Sequence, residues 1–369
     1  MTGVRTIRRA ANEAVIAGRG AADEVSGVIE RLDASLVAVV TTPSVAASPL
    51  LDRIVTAIGV DKVTTFTRAR AHTPEQTVLE AADAAASAEV LVSLGGSSVV
   101  DLTKGVALVL AGGRDFDALR SRGPLRSPAL AHVAIPTTLS AAEFTAAAGI
   151  TDTERGVKEI YFGASLAPST VILDGDLGEY TPRRLWAGTG MKLVADCIEG
   201  MLSARATRFT DALLLDALQI LLADLAFHDD ADARQRCLEA AHMTLSNLHN
   251  VGVGATAALR HQLGGGAGVP HGEASTIVLP HVLRWNGDAA RPVLDRIAHR
   301  LGVGDATGLI DHIEQTIAAL GLPARLDEVG ITSASFDGIA HHAASEASAR
   351  SNVRVADASG LREILDLAS

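Results

Sequence analysis

The first half of this chain alternates short, almost continuously apolar runs with stretches of helical spacing, and this alternation limits the folds open to it. The apolar runs are SLVAVVT (35–41), KVTTF (62–66), EVLVSL (89–94), AHVAIP (131–136) and TVILD (170–174). Runs of this type are typical of strands buried on both faces of a parallel sheet. The stretches between them, such as SPLLDRIVTAIG, have the spacing of amphipathic helices. The pattern predicts a parallel, doubly wound, Rossmann-like sheet with right-handed crossovers.

After Asp174 the strand pattern stops, and the rest of the chain has a helical composition interrupted by glycine-rich turns. A chain of 369 residues with 48% hydrophobic side chains is long enough to form two domains. We therefore predict an α/β nucleotide-binding domain over residues 1–175 and an all-helical substrate or catalytic domain over residues 176–369.

Charge and composition narrow the classes of partner. The formal net charge is -11, with acidic and basic residues interspersed, which disfavours binding to nucleic acid or to an anionic membrane. Aromatic residues are only 3% of the chain, which leaves little surface for stacking bases. The two cysteines form no CxxC, the N-terminus lacks the apolar core of a signal peptide, and no apolar run reaches the roughly 20 residues of a membrane span. These features predict a cytoplasmic protein that binds a small molecule.

The strongest local motif is LVSLGGSSVVDLTKGVAL (91–108), in which a predicted strand runs through two glycines and two serines into a predicted helix. The glycines allow the backbone to approach a ligand closely, and the first amides of the helix can bind an anion. The residues assigned to this anion site are Gly95, Gly96, Ser97 and Ser98. Asp101 and Lys104, farther along the helix, favour a dinucleotide pyrophosphate over an ordinary strand-to-helix turn.

Two hydroxyl side chains follow the next predicted strand. Thr137 and Thr138 come just after AHVAIP, at the edge where open parallel sheets bind their ligands. The turn chemistry around Pro136 alone also accounts for hydroxyls at this place. Both interpretations stay open on the residues alone.

An earlier stretch, GRGAADEV, begins like the GxGxxG pattern of dinucleotide-binding folds. Asp23 replaces its third glycine, and no strong strand precedes it. The sequence therefore argues against a standard Rossmann fingerprint there.

Several long motifs, in this order, resemble the iron-containing alcohol dehydrogenase family of the dehydroquinate synthase-like superfamily. GGSSVVDLTK resembles the family's GGGSxxDxAK loop, PTTLSAAEFT resembles PTTxxxxSE(V/M)T, and GVPHGEASTIVLPHVLRWN resembles PHGxxxxxxLPHVxxxN. The stretches VVTTPS, AHTPEQ, GMKLVADCIEG and SNVRV resemble the maleylacetate reductase branch. The resemblance covers nearly the whole chain. It implies the dehydroquinate synthase-like fold, NAD or NADP as cofactor, and a homodimer.

The resemblance also implies roles for residues of the nucleotide site. The Gly95–Ser98 loop would hold the pyrophosphate, Thr137 and Thr138 would lie along the adenine and phosphate side, and Lys158 would contact the ribose. Thr42 stands where many relatives have an acidic residue that binds the adenosine 2′-hydroxyl and repels a 2′-phosphate. Loss of that repulsion should relax the choice between NAD and NADP.

The positions of the family's metal ligands carry other residues in this chain. Lys192 and Asp196 stand at the first two positions, Ala257 at the third and His271 at the fourth. An ammonium group cannot coordinate a cation, and alanine offers no donor. We therefore expect no catalytic metal.

Two further histidines and two arginines complete the candidate site. His261 resembles a non-ligand histidine near the nicotinamide, and His281 resembles a structural histidine behind it. Both histidines can equally be satisfied polar groups packed in the interior. Arg260 and Arg354, together with Lys192, are candidate binders of a substrate carboxylate.

Loss of the metal ligands bears on the reaction. Alcohol oxidation needs Lewis-acid help, whereas reduction of an activated keto acid or a conjugated system can rely on hydrogen bonds or an ammonium group. We predict an NAD(P)H-dependent reductase of a small unsaturated or 2-oxo carboxylic acid, similar to maleylacetate reductase. Lys192 would replace the metal electrostatically, Asp196 would hold its amine, and His261 or His271 would deliver the proton.

Two alternatives stay open. The first is a non-redox lyase, cyclase or isomerase that keeps the cleft and has a spectator cofactor or none. The second is a catalytically inactive ligand-binding homologue, in which Lys192 and Asp196 are only an ion pair on a helix surface.

Overall fold

A computed structural model describes residues 6–7, 12–126 and 129–369 of the protein. The chain divides into two compact units. The α/β unit contains Ala10–Thr181 and Asp229–Glu239, and the helical unit consists chiefly of Pro182–His228 and Ala240–Ser369.

Six parallel strands form the sheet of the α/β unit. They are β1 (Ala14–Ala17), β2 (Val37–Thr41), β3 (Val63–Phe66), β4 (Val90–Gly95), β5 (Ala131–Pro136) and β8 (Thr170–Leu173). Their order across the sheet is β1-β8-β5-β4-β2-β3, and every pairing is parallel. Every apolar run identified in the sequence forms one of these strands, so the predicted doubly wound sheet is confirmed. β1 was not predicted: no strong strand was expected before GRGAADEV, yet β1 ends directly before Gly18. It lies at the sheet edge with exposed or half-buried residues, and so differs from the buried strands that the apolar runs predicted.

The helices of the α/β unit lie on both faces of the sheet. They are α1 (Val25–Arg31), α2 (Pro43–Ala46), α3 (Pro49–Ile58), α4 (Glu75–Ala84), α5 (Ser97–Gly112) and α6 (Phe116–Ser121). α1 and α3 pack with Val39 and Val92 on one face, whereas α4 and α5 pack with Val40 and Leu91 on the other. The chain therefore leaves β2 and β4, which are neighbours, towards opposite faces. In an open α/β sheet, the crevice at such a topological switch point is where ligands bind.

An antiparallel hairpin, which the sequence did not predict, follows β5. Its strands are β6 (Ala147–Asp152) and β7 (Val157–Phe162). Ile150 and Tyr161 are buried in the same core as α5, whereas Ile160 and Phe162 are exposed. A short hairpin with apolar side chains on both faces lacks the alternation that identifies a strand in sequence.

The helical unit contains the remaining long helices. They are α7 (Arg183–Leu202), α8 (Arg208–Asp224), α9 (Ala231–Val251), α10 (Ala255–Ala267), α11 (His271–Leu301), α12 (Ala306–Ala319), α13 (Phe336–Ala344), α14 (Ala347–Ser351) and α15 (Ala358–Leu367). Of these, α9 begins in the α/β unit. Helix α11 is interrupted at Gly287, where φ is 51°. The predicted helical C-terminal part is confirmed. Among the described residues, none of the helices combines the length and apolarity of a membrane span.

The first turns of α9 belong to the α/β unit, although the sequence pattern assigned this segment to the helical domain. The amide of Gly175 donates to Gln235 Oε1 at 2.8 Å, and its carbonyl accepts from Arg234 Nε at 2.7 Å. A Cβ at Gly175 would lie 2.6 Å from the carbonyl oxygen of Ala231. Hydrogen bonds to the backbone, such as these, join segments that are distant in sequence. The periodicity of a helix in the sequence does not predict them.

Within the helical unit, α7 and α11 approach each other closely at two glycines. A Cβ added to Gly272 would overlap the backbone of Gly188. This contact lets the two helix backbones touch, as only glycine permits. Lys192 lies one turn beyond Gly188 and Ser275 nearly one turn beyond Gly272, so the contact sets the spacing of the side chains described next.

Candidate functional site

The candidate nucleotide site of the α/β unit lies at the switch point between β2 and β4. Thr42 follows β2 directly, and its hydroxyl accepts the amide of Val45 at 3.3 Å as the N-cap of α2. Gly95 ends β4, and its carbonyl accepts the amide of Thr137 at 3.2 Å. The structure thus brings together residues that the sequence assigned to the nucleotide from three separate stretches.

The two glycines of the loop serve the protein's own packing. Gly95 has φ of 150°, which favours glycine, and a Cβ there would lie 2.8 Å from Val99 Cγ2. A Cβ at Gly96 would lie 3.0 Å from both Cγ2 and Oγ1 of Thr138. Packing within the chain alone therefore requires both glycines, and the close approach of a ligand to them stays a prediction.

The start of α5 supplies the groups expected to bind an anion. The carbonyl of Gly96 accepts the amides of Val99 and Val100, at 2.9 and 3.2 Å. The amides of Ser97 and Ser98 precede these and, like the first amides of any helix, have no acceptor within it. They lie at the positive end of the helix dipole on partly exposed residues, which suits a phosphate group.

Lys104 differs from its expected role. Its ammonium is fully buried and donates to the carbonyl oxygens of Ala142, Thr145 and Ala147 at 2.8–2.9 Å and to the Thr145 hydroxyl at 3.0 Å. Burial lowers the pKa of Lys104 to about 8, against an attraction to Asp101 and Glu143 that raises it. Lys104 therefore anchors the segment that leads into β6, and it does not belong to the anion site.

Asp101 and Lys158 form a pair beside the start of α5. Lys158 Nζ lies 4.0 Å from Asp101 Oδ2, and the side chain reaches this position by crossing the Cα of Gly149, where a Cβ would overlap it. Burial raises the pKa of Asp101, while Lys104 and Lys158 act to lower it. The ribose contact assigned to Lys158 stays a prediction, and the structure places that lysine in the same unit as the anion site.

Strained backbone flanks the candidate nucleotide site. His72 and Thr73 have φ of 62° and 52°, and Ala141 has φ of 60°. Thr73 is buried, and its hydroxyl donates to the carbonyl of Ser98 at 3.3 Å. Non-glycine residues in this conformation cost of order 1–3 kcal/mol each and persist mainly where the surrounding structure requires them, often at functional sites.

A charged cluster occupies the interior of the helical unit. We call Lys192, Asp196, Arg260 and Ser275 the Asp196 cluster. Lys192 Nζ lies 2.7 Å from Asp196 Oδ2, and Arg260 donates to Asp196 Oδ1 at 3.0 Å and, at 3.4 Å, to Ser275. The Asp196 side chain is fully buried, Arg260 is 5% exposed and Lys192 is 17% exposed. The interpretation of Lys192 and Asp196 as a helix-surface ion pair is therefore wrong, because α7 is enclosed by other helices here.

The Asp196 carboxylate is held in its ionised form by its two partners. Burial acts to raise its pKa, but attraction to Arg260 and Lys192 and the hydrogen bonds that they donate outweigh burial and lower the pKa. Within the cluster as defined, two cations and one anion leave a net charge of +1; the neighbouring Glu199 carboxyl, whose pKa burial raises and Arg260 acts to lower, is not counted in it. Lys192, the more exposed of the two cations, is the one that can reach another group.

The donor set at this place does not fit an iron ion. Both oxygens of Asp196 are engaged by cations, and Ala257 is buried without a donor atom. Next to Ala257, Glu199 is committed as well, because its carboxylate accepts the amides of Gly254 and Thr256 at 2.8 and 2.7 Å. The described residues contain no group of three His, Cys, Asp or Glu side chains arranged for a metal. A cation here would meet an ammonium and a guanidinium, which repel it.

His261 and His271 lie side by side at the turn between α10 and α11. Their ring centroids are 5.9 Å apart, and the His271 ring occupies space that a Cβ at Gly264 would fill. His261 Nδ1 lies 2.8 Å from Glu346 Oε2, and the His261 side chain is 44% exposed. His281 is half-buried and lies apart from this pair along α11. Burial, followed by Arg284, lowers the pKa of His281, which suits a neutral structural role.

The two arginines assigned to a substrate carboxylate have partners within the fold. Arg260 is bound to Asp196. Arg354 lies over the Trp285 ring, 3.7 Å from its centroid, and donates to the Trp285 carbonyl at 2.6 Å. Asn352 of the same SNVRV stretch accepts the amide of Ala255 at the start of α10. The carboxylate-binding role of Arg354 stays a prediction, because its side chain is exposed, although the guanidinium is held by cation–π stacking and by one carbonyl.

Sequence reasoning missed two carboxylates. Glu199 lies in GMKLVADCIEG, three residues after Asp196, and helical spacing alone could have placed it near that cluster. Glu346 approaches His261 from 85 residues away, and no local pattern indicates that contact. The assignment of catalytic and cofactor residues stays a prediction. The predicted cofactor residues lie in the α/β unit, and the predicted catalytic residues lie in the helical unit.

Comparison with known proteins gives matches over nearly the whole chain. The profile named Iron-containing alcohol dehydrogenase matches residues 12–175, and the profile named Fe-containing alcohol dehydrogenase family, C-terminal matches residues 186–369. Maleylacetate reductase of Burkholderia cepacia is 30% identical over 321 residues, covering 84% of this chain and 85% of that protein. NAD-dependent methanol dehydrogenase of Bacillus methanolicus is 29% identical over 371 residues, covering 95% and 97%. The crystal structure of maleylacetate reductase from Agrobacterium tumefaciens matches with a TM-score of 0.84 at 26% identity, covering 100% of this chain and 98% of that chain.

Proposed function

Because the chain belongs to the iron-containing alcohol dehydrogenase family of oxidoreductases, we propose that it reduces a small unsaturated or 2-oxo carboxylic acid with NADH or NADPH. The observation that carries this proposal is the net positive Asp196 cluster at the place where the family's pattern has metal ligands. The similarity to a maleylacetate reductase and to an NAD-dependent dehydrogenase supports the substrate class and the cofactor.

The start of α5 is suited to bind the pyrophosphate of the dinucleotide. The Ser97 and Ser98 amides offer two donors at a helix N-terminus, and this turn stands at the switch point of the sheet. Thr42 places no negative charge at the end of β2. NADH and NADPH should therefore bind within about tenfold of each other, which corresponds to roughly 1.4 kcal/mol.

Lys192 is suited to stabilise the oxyanion that develops during reduction. When bound, the reduced nicotinamide supplies the hydride, and the π electrons of the carbonyl or conjugated system move towards oxygen. A fixed ammonium donates a charge-assisted hydrogen bond to that oxygen. Asp196 and Arg260 hold the ammonium in place without neutralising the cluster, because the three charges sum to +1.

A histidine is suited to complete the reaction by giving a proton to the substrate. Both candidate histidines are exposed, and His261 is the better placed for this step because its Nδ1 is already bound to Glu346. Arg260 is committed to Asp196, and Arg354 is exposed but stacked on the Trp285 ring. We propose that Lys192 binds the oxo acid at its oxo oxygen and the adjacent carboxylate together.

The proposal is tested with purified protein whose metal content has been measured. NADH and NADPH are supplied separately with maleylacetate and a series of small 2-oxo acids, and the loss of reduced-nicotinamide absorbance is recorded with and without EDTA. We expect substrate-dependent loss that EDTA leaves unchanged. Product formation without nicotinamide oxidation would indicate a lyase, cyclase or isomerase instead. Activity that EDTA abolishes and iron or zinc restores would refute metal independence, and binding without any turnover would indicate an inactive homologue.

A further inference from the structure

Glu346 lies at the convergence of three side-chain donors. It is the residue before α14, and its Oε2 faces His261 Nδ1 at 2.8 Å, while its Oε1 accepts from Gln262 Nε2 at 2.7 Å. The Ser348 hydroxyl donates to Oε2 at 3.2 Å. Each carboxylate oxygen is thus bound from α10, and the group is not free to rotate.

The hydrogen-bond roles in this arrangement follow from the charge of Glu346. Burial acts to raise the pKa of Glu346, but hydrogen bonds and attraction from His261, with further hydrogen bonds from Gln262 and Ser348, lower it. An ionised carboxylate only accepts hydrogen bonds, so His261 Nδ1 must carry a proton. The second ring nitrogen, Nε2, is then the one left to exchange a proton, because the hydrogen bond of one ring nitrogen determines the state of the other.

Stability alone does not account for this arrangement. The His261 side chain is 44% exposed and that of Glu346 is 22% exposed, and ion pairs with such exposure typically contribute about 0–1 kcal/mol. Gln262, the neighbour of His261, fixes the other oxygen of the same carboxylate. The result is a defined orientation of one exposed imidazole ring beside the second imidazole, that of His271.

We propose that Glu346 is a positioning residue that holds the His261 proton on Nδ1 and thereby directs Nε2 to the substrate. This inference rests on the proposed reductase function. In the proton-transfer step, the Nε2–H bond of the His261 imidazolium breaks and its proton forms a new bond to the reduced substrate. The electron pair of the broken bond stays on Nε2. The neutral ring that remains is the Nδ1–H tautomer, which Glu346 stabilises through its hydrogen bond.

The test compares Glu346→Ala and Glu346→Gln with wild type. The control is Glu314→Gln, because Glu314 is also a carboxylate of a partly exposed pair, with Arg284 at 2.6 Å, and it is bound to neither His261 nor His271. Nitrogen-15 NMR of the imidazole groups, recorded without substrate at a pH where His261 is neutral, reports which ring nitrogen carries the proton. Steady-state kinetics with the best oxo acid reports kcat and KM separately.

We expect the Nδ1–H tautomer of His261 in wild type and in the control, and a mixture of tautomers in Glu346→Ala. We expect kcat to fall about ten- to a hundredfold in Glu346→Ala with KM changed less than about twofold, since general acid catalysis contributes typically 10²–10⁴-fold and only part of it depends on orientation. Glu346→Gln, whose amide oxygen still accepts a hydrogen bond, should retain the tautomer and recover part of kcat.

An Nε2–H tautomer in wild type, or an unchanged kcat in Glu346→Ala, would overturn the role of Glu346. If wild type oxidises no reduced nicotinamide with any acid, the proposed function fails, and the tautomer measurement still decides whether Glu346 positions His261.

Discussion

Replacing the charged members of the Asp196 cluster one at a time separates its electrostatic role from its structural role. In wild type, Asp196 is fully buried between Lys192 at 2.7 Å and Arg260 at 3.0 Å. Lys192→Met leaves a neutral, compensated pair of Arg260 and Asp196. Asp196→Asn leaves two cations without a counter-charge in the interior. The two variants therefore differ in what they leave behind, although each removes one charge.

The expected magnitudes follow from that difference. Removing one partner of a buried ion pair costs about 3–5 kcal/mol when it leaves an uncompensated charge, and we expect Asp196→Asn to lose stability in this range. Lys192→Met leaves no uncompensated charge, and Lys192 is 17% exposed, so we expect a loss of about 1–2 kcal/mol. Its turnover should nevertheless fall about a hundredfold or more, because one transition-state donor is removed.

Urea unfolding gives the free energy of unfolding, and kcat is measured under conditions where each variant is folded. Lys62→Met, which removes an exposed lysine of the α/β unit, is the matched control and should change neither quantity. Full turnover in Lys192→Met would refute the electrostatic role of Lys192. A Lys192→Met variant as unstable as Asp196→Asn would refute the compensation by Arg260 on which the magnitudes rest.

Further predictions concern the nucleotide site, the anchoring lysine and acid stability. Ser97→Asp should weaken binding of both dinucleotides about five- to a hundredfold through repulsion of the pyrophosphate, yet leave the melting temperature unchanged or higher, since an acidic residue stabilises the first turn of a helix; calorimetric titration and a thermal scan, with Ser97→Ala as control, check this. Thr42→Asp should weaken NADPH binding at least about tenfold more than NADH binding, and equal losses in a fluorescence titration would contradict the 2′-phosphate assignment. Lys104→Met should cost about 3 kcal/mol or more in urea unfolding, because it removes the buried ammonium that donates to the carbonyl oxygens of Ala142, Thr145 and Ala147. Since the folded pKa of Asp196 is lowered, its stabilising contribution is present above its unfolded pKa of about 3.9 and is lost as pH falls through the folded value; Asp196→Asn should lack this acid-dependent loss of stability.

Where the sequence predicted well, the information was local. Buried strands such as β4 and β5 are continuous apolar runs, and a helix that starts after Gly95 and Gly96 needs only a few adjacent residues to be recognised. Long motifs carry their residues in a fixed order, so the resemblance indicated the family and the doubly wound fold. That Lys192 and Ala257 offer no atom to coordinate a metal follows directly from the chemistry of these side chains.

Only the tertiary structure decided which partner each charged side chain has. Spacing places Lys104 and Lys192 on helix faces, but the loop carbonyls that bind Lys104, the guanidinium that joins Asp196 and the carboxylate that faces His261 come from segments 38 to 85 residues away. Burial decides the role in each case. An ion pair exposed to water contributes little to stability, whereas each charge of a pair in the interior needs an opposite charge or hydrogen bonds. The sequence shows that a charged side chain is present, and the fold determines whether water or another side chain interacts with it.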